Sequence, residues 1–402
     1  MSRSESEKVR NHIPNHLAFS VLSKLPLKSL KRFGCAYKPW SLLFEDPHFM
    51  NNFRTNFISI PHPYSNDTSL LLYQFPRWMS HDDFSLYSLS GERYENRVKL
   101  DVPNPFQEEK PYFDFLDSNV INGVICLKRG KRLVLWNPTT HEFNVIPQSP
   151  IESMPPYRLI DFYYHGFGFD HVREDIKIIT RALFSQIAGY VLRHLGVQRK
   201  DVSRNEISYE PLWEIYSQRY NSWRILDVNM SLCLTDSSNQ RLYMDGICYW
   251  WSESENYDEH FLVSFNLSNE LFLTTIIPLD IPSDMYPNFL YSFVNRHLVV
   301  FNGSIATISW YLSDKATYHI SILGELGVKE SWTKLFVVGP FSYIDRLIGA
   351  EKNCDILFQK IDGQLVCFDL STQKTKELAV KGPFYYYVAF FYKKKSLFQL
   401  EE

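Results

Sequence analysis

Three segments of the chain share one pattern: LVLWNPTTHEFNVIP from Leu133, LVSFNLSNELFLTTIIP from Leu262 and LVCFDLSTQKTKELAV from Leu365. Each reads as a strand ending in an aromatic residue, then Asn or Asp, a polar turn and a second strand. Asn and Asp hydrogen-bond the backbone of a turn through their own side chains, and the flanking apolar residues favour strands. The pattern predicts a β-hairpin at each place. Weaker copies begin at Phe84, Trp213 and Tyr318.

Taking Tyr87, Trp136, Tyr216, Phe265, Ile322 and Phe368 as equivalent gives spacings of 49, 80, 49, 57 and 46 residues. A period near 50 is that of a four-stranded, kelch-type propeller blade. It predicts six or seven blades from about residue 58 onward, one with a long insertion. Apolar runs that follow a glycine, INGVICL from Ile121 and MDGICYWW from Met244, fit as the strands preceding the hairpins. The final FYYYVAFFYKKKSLFQL is expected to supply a closing strand. Composition agrees, since 30 Phe, 25 Tyr and 9 Trp make 16% of the chain aromatic, and such residues suit half-buried pleated surfaces. The double-Gly and Trp-Asp marks of strict repeats are absent, so a regular propeller rests on the period.

Residues 13–49, IPNHLAFSVLSKLPLKSLKRFGCAYKPWSLLFEDPHF, follow a different rule. Leu17, Val21 and Leu25 recur every four residues with Leu22 beside them, a stripe on a short helix that Asn15 caps after Pro14. Pro26 stops that helix, because proline has no amide donor and clashes with the preceding turn. A second piece carries Leu27, Leu30, Phe33 and Tyr37, and Pro39 separates it from Trp40, Leu43 and Phe44. Three helical pieces in so few residues cannot hide all of their apolar surface, and such a unit needs a partner.

The net charge of −3 hides an asymmetry. Residues 1–56 hold 9 Lys and Arg against 4 Asp and Glu, and the remaining 346 residues hold 33 against 41. A basic head on an acidic body suits nucleic acid or an acidic protein partner, and a solvated helix face accounts for it equally well. The basic residues are scattered and no nucleic-acid signature accompanies them, which argues against nucleic acid. The N-terminal MSRSESEKVRNH has no apolar stretch of the secretory kind. The longest apolar region is interrupted by Asn295, Arg296 and His297, so no membrane span is expected. The six cysteines form no Cys-x-x-Cys pair and sit mostly in apolar strand patterns, which predicts buried free thiols in a reducing compartment.

Pro14, Leu17, Leu25-Pro26, Lys28-Ser29-Leu30, Arg32-Phe33, Cys35, Lys38-Pro39-Trp40 and Asp46-Pro47-His48-Phe49, in this register, resemble the F-box of plant F-box proteins. The body motifs NGVICL, WNPTT, GFGFD with IKII, YSQRYNSW and ESWTKLF, in this order, resemble the F-box-associated domain of plant F-box/kelch-repeat proteins, the S-locus F-box-like group included. Asn15 and His16 stand where the family usually has acidic residues, and Gly34 stands where a basic residue is common. The resemblance implies a multidomain α+β chain: a disordered tail over 1–12, a three-helix F-box over 13–56 and an all-β, kelch-type propeller-like domain over 57–402. It also implies a cytoplasmic or nuclear substrate-recognition subunit of an SCF ubiquitin ligase. The F-box would bind a Skp1-like adaptor, and through it cullin and a RING subunit, while the body holds a target protein. For the adaptor contact the expected residues are Pro14, Leu17, Leu22, Leu25, Pro26, Leu30, Phe33, Cys35 and Trp40. The alternative is a propeller that binds carbohydrate or protein outside a ligase.

Chemistry is otherwise sparse. GFGFD at 166–170 lacks the third glycine of a dinucleotide loop, and tight strand packing explains its glycines better. The histidines lack metal-ligand spacing, and no nucleophile motif such as Gly-x-Ser-x-Gly occurs. No catalytic residue, metal or cofactor is expected. Two loops are candidate recognition elements or plain solvated segments: acidic SESENYDEH, with Glu253, Glu255, Asp258 and Glu259, and the insertion 183–210, with Arg193, Arg199, Lys200 and Arg204.

Overall fold

The repeated turns share one geometry. Asn137 Oδ1 accepts the amides of Thr139 at 2.9 Å and Thr140 at 3.4 Å, Asn266 Oδ1 those of Ser268 and Asn269, and Asp369 Oδ1 those of Ser371 and Thr372. Four residues on, His141, Glu270 and Gln373 take φ of 63°, 60° and 57°. That left-handed residue returns the chain into the second strand. Asp170 builds the same turn, with Val172 and Arg173 amides on its Oδ1 and Glu174 at φ 51°.

The computed structural model describes residues 15–58, 68–76, 85–91, 93–106, 113–116, 120–153, 158–186, 210–227, 241–254, 259–278, 294–311, 315–350, 356–382 and 384–392. Strands β1 (Thr68–Pro76), β2 (Ser85–Ser90) and β3 (Asn96–Leu100) begin blade 1. Blade 2 is β4 (Asp114–Phe115), β5 (Ile125–Arg129), β6 (Arg132–Trp136) and β7 (Phe143–Val145). Blade 3 is β8 (Arg158–Asp170), β9 (Asp175–Gln186), β10 (Leu212–Ser217) and β11 (Ser222–Leu226). Blade 4 is β12 (Arg241–Met244), β13 (Ile247–Glu253), β14 (His260–Asn266) and β15 (Phe272–Ile276). Blade 5 is β16 (Val294–Phe301), β17 (Ser304–Tyr311), β18 (Ala316–Leu323) and β19 (Trp332–Phe341). Blade 6 is β20 (Ile344–Ala350), β21 (Ile356–Lys360), β22 (Gln364–Asp369) and β23 (Lys374–Lys381). The last strand, β24 (Phe384–Tyr392), pairs antiparallel with β1 from Thr68↔Tyr392 to Pro76↔Phe384 and completes blade 1.

All six aligned residues, Tyr87 to Phe368, fall in the third strand of their blade, so the repeat read from the sequence is the blade itself. The ring closes through six apolar cores, one between each pair of neighbouring blades. Leu71, Ile125 and Trp136 join blades 1 and 2, for example, and Leu70, Leu72, Leu357 and Leu365 join blades 6 and 1. The molecule is a six-bladed β-propeller.

GFGFD lies at the end of β8, and its glycines are there for packing. A Cβ on Gly166 would stand 2.5 Å from Cys248 Cβ, and one on Gly168 would stand 2.3 Å from the Tyr243 ring, so blade 4 lies directly on this backbone. Cys126, Cys248 and Cys367 are buried as expected, while Cys35 is exposed; Cys233 and Cys354 lie outside the described residues.

Candidate functional site

Ahead of the propeller stand α1 (Asn15–Leu22), α2 (Leu27–Ala36), α3 (Lys38–Ser41), a 3-10 turn (Leu42–Phe44) and α4 (Pro47–Ile58). Only three helical pieces are legible in the sequence pattern; α4 is the addition. Asp46 caps it, its Oδ1 accepting the His48 and Phe49 amides at 2.8 and 3.0 Å, and Pro47 follows at the first helical position. The helix continues to Ile58 because Phe49, Phe53 and Phe57, four apart, form one buried face. Gly34 sits where α2 crosses α3, and a Cβ there would be 3.4 Å from Ser41 Cα, an ordinary contact.

The inner side of this head is locked to blades 5 and 6. Leu22, Leu27, Leu30, Phe49, Met50, Phe53 and Phe57 belong to one core with Phe301, Phe336 and Phe358. A file of rings runs from Phe49 through Phe53 and Phe57 to Phe301, with centroids 6.3, 6.2 and 6.0 Å apart. Asn302 donates its side-chain amide to the Phe57 carbonyl, and Asn56 donates to the Ser23 carbonyl at 3.1 Å, tying α4 to the end of α1. Polar contacts edge the joint. Arg32 meets the Glu325 carboxylate, which that hydrogen bond holds below its ordinary pKa, and Lys31 donates to the Glu330 carbonyl at 3.3 Å. Burial in turn lowers the Lys31 ammonium.

The outer side is bare. Leu17, Val21, Phe33, Tyr37 and Leu42 are between 41% and 60% exposed. Trp40 holds Phe33 and Tyr37 together by edge-to-face contacts at 5.9 and 5.2 Å.

The expected adaptor residues therefore divide. Leu17, Pro26, Phe33 and Cys35 are exposed, and Leu25 and Trp40 are half-buried against the shared core. Leu22 and Leu30 are buried inside the protein, because the face of α2 that carries Leu27 and Leu30 is the one the propeller covers. In this chain those two side chains pack inside the head and against the propeller. Pro14 lies outside the described residues, as do the tail 1–12, residues 187–209 of the insertion, and Glu255 and Asp258 of the acidic loop.

Residues 77–397 match the family described as the F-box associated beta propeller domain. The chain belongs to that family. F-box protein CPR1 of Arabidopsis thaliana is 24% identical over 387 residues, 92% of this chain and 84% of the relative. F-box only protein 8 of the same plant is 24% identical over 305 residues, 72% of this chain and 87% of the relative. Among solved structures, an oligogalacturonate lyase in complex with manganese covers 77% of this chain and 78% of its own at 9% identity, with a TM-score of 0.39, a likeness too remote to bear on function.

In this F-box-associated propeller protein, Val21, Tyr37 and Leu42 are exposed apolar residues that the sequence reading did not place at the contact. Val21 and Tyr37 lay in the apolar stripes all along, but periodicity shows that a stripe exists and not which of two neighbours covers it. Leu42 had no such signal, since the 3-10 turn that presents it breaks the helical period.

Proposed function

We propose that this protein is a non-catalytic substrate receptor of an SCF-type ubiquitin ligase. The head docks a Skp1-like adaptor, which brings cullin and a RING subunit, and the propeller holds the target protein. One observation carries this reading: apolar side chains stay bare on the outer face of a head whose inner face is already buried. Five large apolar residues on so small a unit mark a protein interface, and membership of the F-box-associated family supports the kind of partner. The basic head complements an acidic adaptor through steering. A head locked on blades 5 and 6 would hold the target at a set position relative to the ligase arm.

Deleting residues 1–56 would remove Leu22, Leu27, Leu30, Phe49, Met50 and Phe53 from the core shared with blades 5 and 6, so surface substitutions are the sound test. The full-length protein and the double variant Leu17→Asp, Phe33→Asp are to be co-purified with a Skp1-type adaptor and cullin. The expected result is capture by the parent chain, none by the variant, and equal thermal unfolding of the two. Capture by both would exclude this face as the docking surface.

A further inference from the structure

A recess of about 270 Å³ opens between blades 2 and 3. Strand alternation on β10 decides its chemistry. Trp213 and Ile215 face blade 4, whereas Glu214 and Tyr216 face blade 2, and this puts a carboxylate where the pattern WEIYS otherwise supplies core. Glu214 lines the recess and is 1% exposed. Its Oε2 accepts the Ser149 hydroxyl at 2.6 Å, and its Oε1 has no hydrogen-bond partner among the described residues.

The donors around it are already engaged. Tyr164 gives its hydroxyl to the Lys131 carbonyl at 2.9 Å, and Trp223 gives its indole N–H to the Pro147 carbonyl at 2.7 Å. Lys131 and Arg132 also line the recess, but each lies over an aromatic ring, Phe162 at 5.4 Å and Phe106 at 4.6 Å, and neither pairs with Glu214. A buried acceptor without a donor is costly, and a ligand that brings an N–H or O–H removes that cost. The local field selects among donors. Glu152 is a second carboxylate on the same recess, and burial together with that neighbour pushes the Glu214 carboxyl up to about 7. A cation relieves both effects, whereas a neutral hydroxyl answers the burial through a hydrogen bond, as Ser149 does, and leaves the repulsion from Glu152. The Phe162 and Tyr164 rings already carry Lys131 and Lys128, at 5.4 and 5.2 Å, which leaves the Trp223 ring as the wall on which an incoming cation and its stem are favoured. Residues 57–402 also carry 33 basic against 41 acidic side chains, which favours a basic segment of a partner.

We propose that this recess receives the cationic end of an arginine or lysine side chain from a bound polypeptide, with Glu214 accepting its N–H groups and the Trp223 ring flanking its stem. The site rests on reading the propeller as the part that holds a target, and it gives that reading a chemistry.

The test is calorimetric titration of the full-length protein with blocked pentapeptides of alanine whose central residue is Arg, Lys, citrulline or norleucine, and with maltose as a neutral hydroxyl donor. The Arg and Lys peptides are expected to saturate, the citrulline and norleucine peptides to bind roughly tenfold more weakly, and maltose not to bind. Glu214→Gln keeps the shape and the Ser149 contact, and it should reduce the Arg peptide to the level of norleucine. Glu152, Lys131 and Arg132 are the other charges facing the site, and a cation binds the ionised carboxylate, so affinity should fall about tenfold between roughly pH 8 and pH 6. Equal binding of the Arg and norleucine peptides, no binding of any peptide, maltose binding in their place, or a Glu214→Gln protein that binds Arg as well as the parent would overturn the assignment. Adaptor capture is scored in parallel: its loss alone would refute the ligase reading and leave the recess intact.

Discussion

At Asp170 and Lys177 a buried ion pair fastens blade 3 to blade 4. Lys177 Nζ lies 2.7 Å from Asp170 Oδ2 and donates to the Leu267 carbonyl at 2.8 Å, and Ser268 donates to Asp170 at 2.6 Å. Burial alone would raise the Asp170 carboxyl, but hydrogen bonds from Lys177, Ser268 and Arg173 outweigh it and hold the group well below the carboxylate range. Lys177→Met removes the buried partner and leaves Asp170 only the half-exposed Arg173 as a counter-charge, so it should cost about 3 kcal/mol, the low end for a broken buried pair, in urea unfolding. The folded-state pKa is depressed, so the stability it confers is present above the unfolded value of 3.8 and lost as the pH falls below it. Asp170→Asn should accordingly flatten the loss of stability between about pH 5 and pH 2, which denaturation midpoints across that range would show.

Among the elements, the repeated turns and the closing strand matter most. The Asp369 side chain satisfies two amides of its turn, which no other group replaces as cheaply as water does at an exposed corner. Asp369→Ala is expected to cost about 1 kcal/mol. His141 stands exposed at φ 63°, a conformation strained for any residue with a Cβ, so His141→Gly should stabilise by about 1 kcal/mol, read as a higher denaturant midpoint. Strand β24 pairs with all nine residues of β1, and without it β1 becomes a bare edge beside an open ring. A chain ending at residue 383 should aggregate, and light scattering of freshly refolded protein would register it.

For the whole molecule the decisive joint is the one between the head and blades 5 and 6. The ion pair of Arg32 with Glu325 is exposed and screened, whereas Phe53 is 1% exposed within the file of rings. Phe53→Ala should cost about 3–5 kcal/mol and loosen the head from the propeller, which hydrogen exchange over α1 to α4 would detect. Adaptor capture should weaken with it, because the outer face is presented only while the inner one is held.

Much of this architecture was written into the sequence, because it depends on local rules. Turn chemistry at Asn137, Asn266 and Asp369 marked the third and fourth strands of three blades, and the spacing of the six aligned positions from Tyr87 to Phe368 marked the period. Proline at 26 and the four-residue stripes placed α1 and α2 for the same reason. Which side of those helices faces outward was decided by tertiary structure alone: Leu22 and Leu30 look like Leu17 and Phe33 in any periodic pattern, and only the presence of blades 5 and 6 separates them. The aromatic run at 384–392 marked a closing strand, but its partner β1, more than 300 residues away, and the count of six blades were decided only by the pairing itself. Glu214 was hidden likewise. Its alternation on β10 sends it toward blade 2, but a charged residue at an inward position acquires meaning only when the neighbouring blade encloses it.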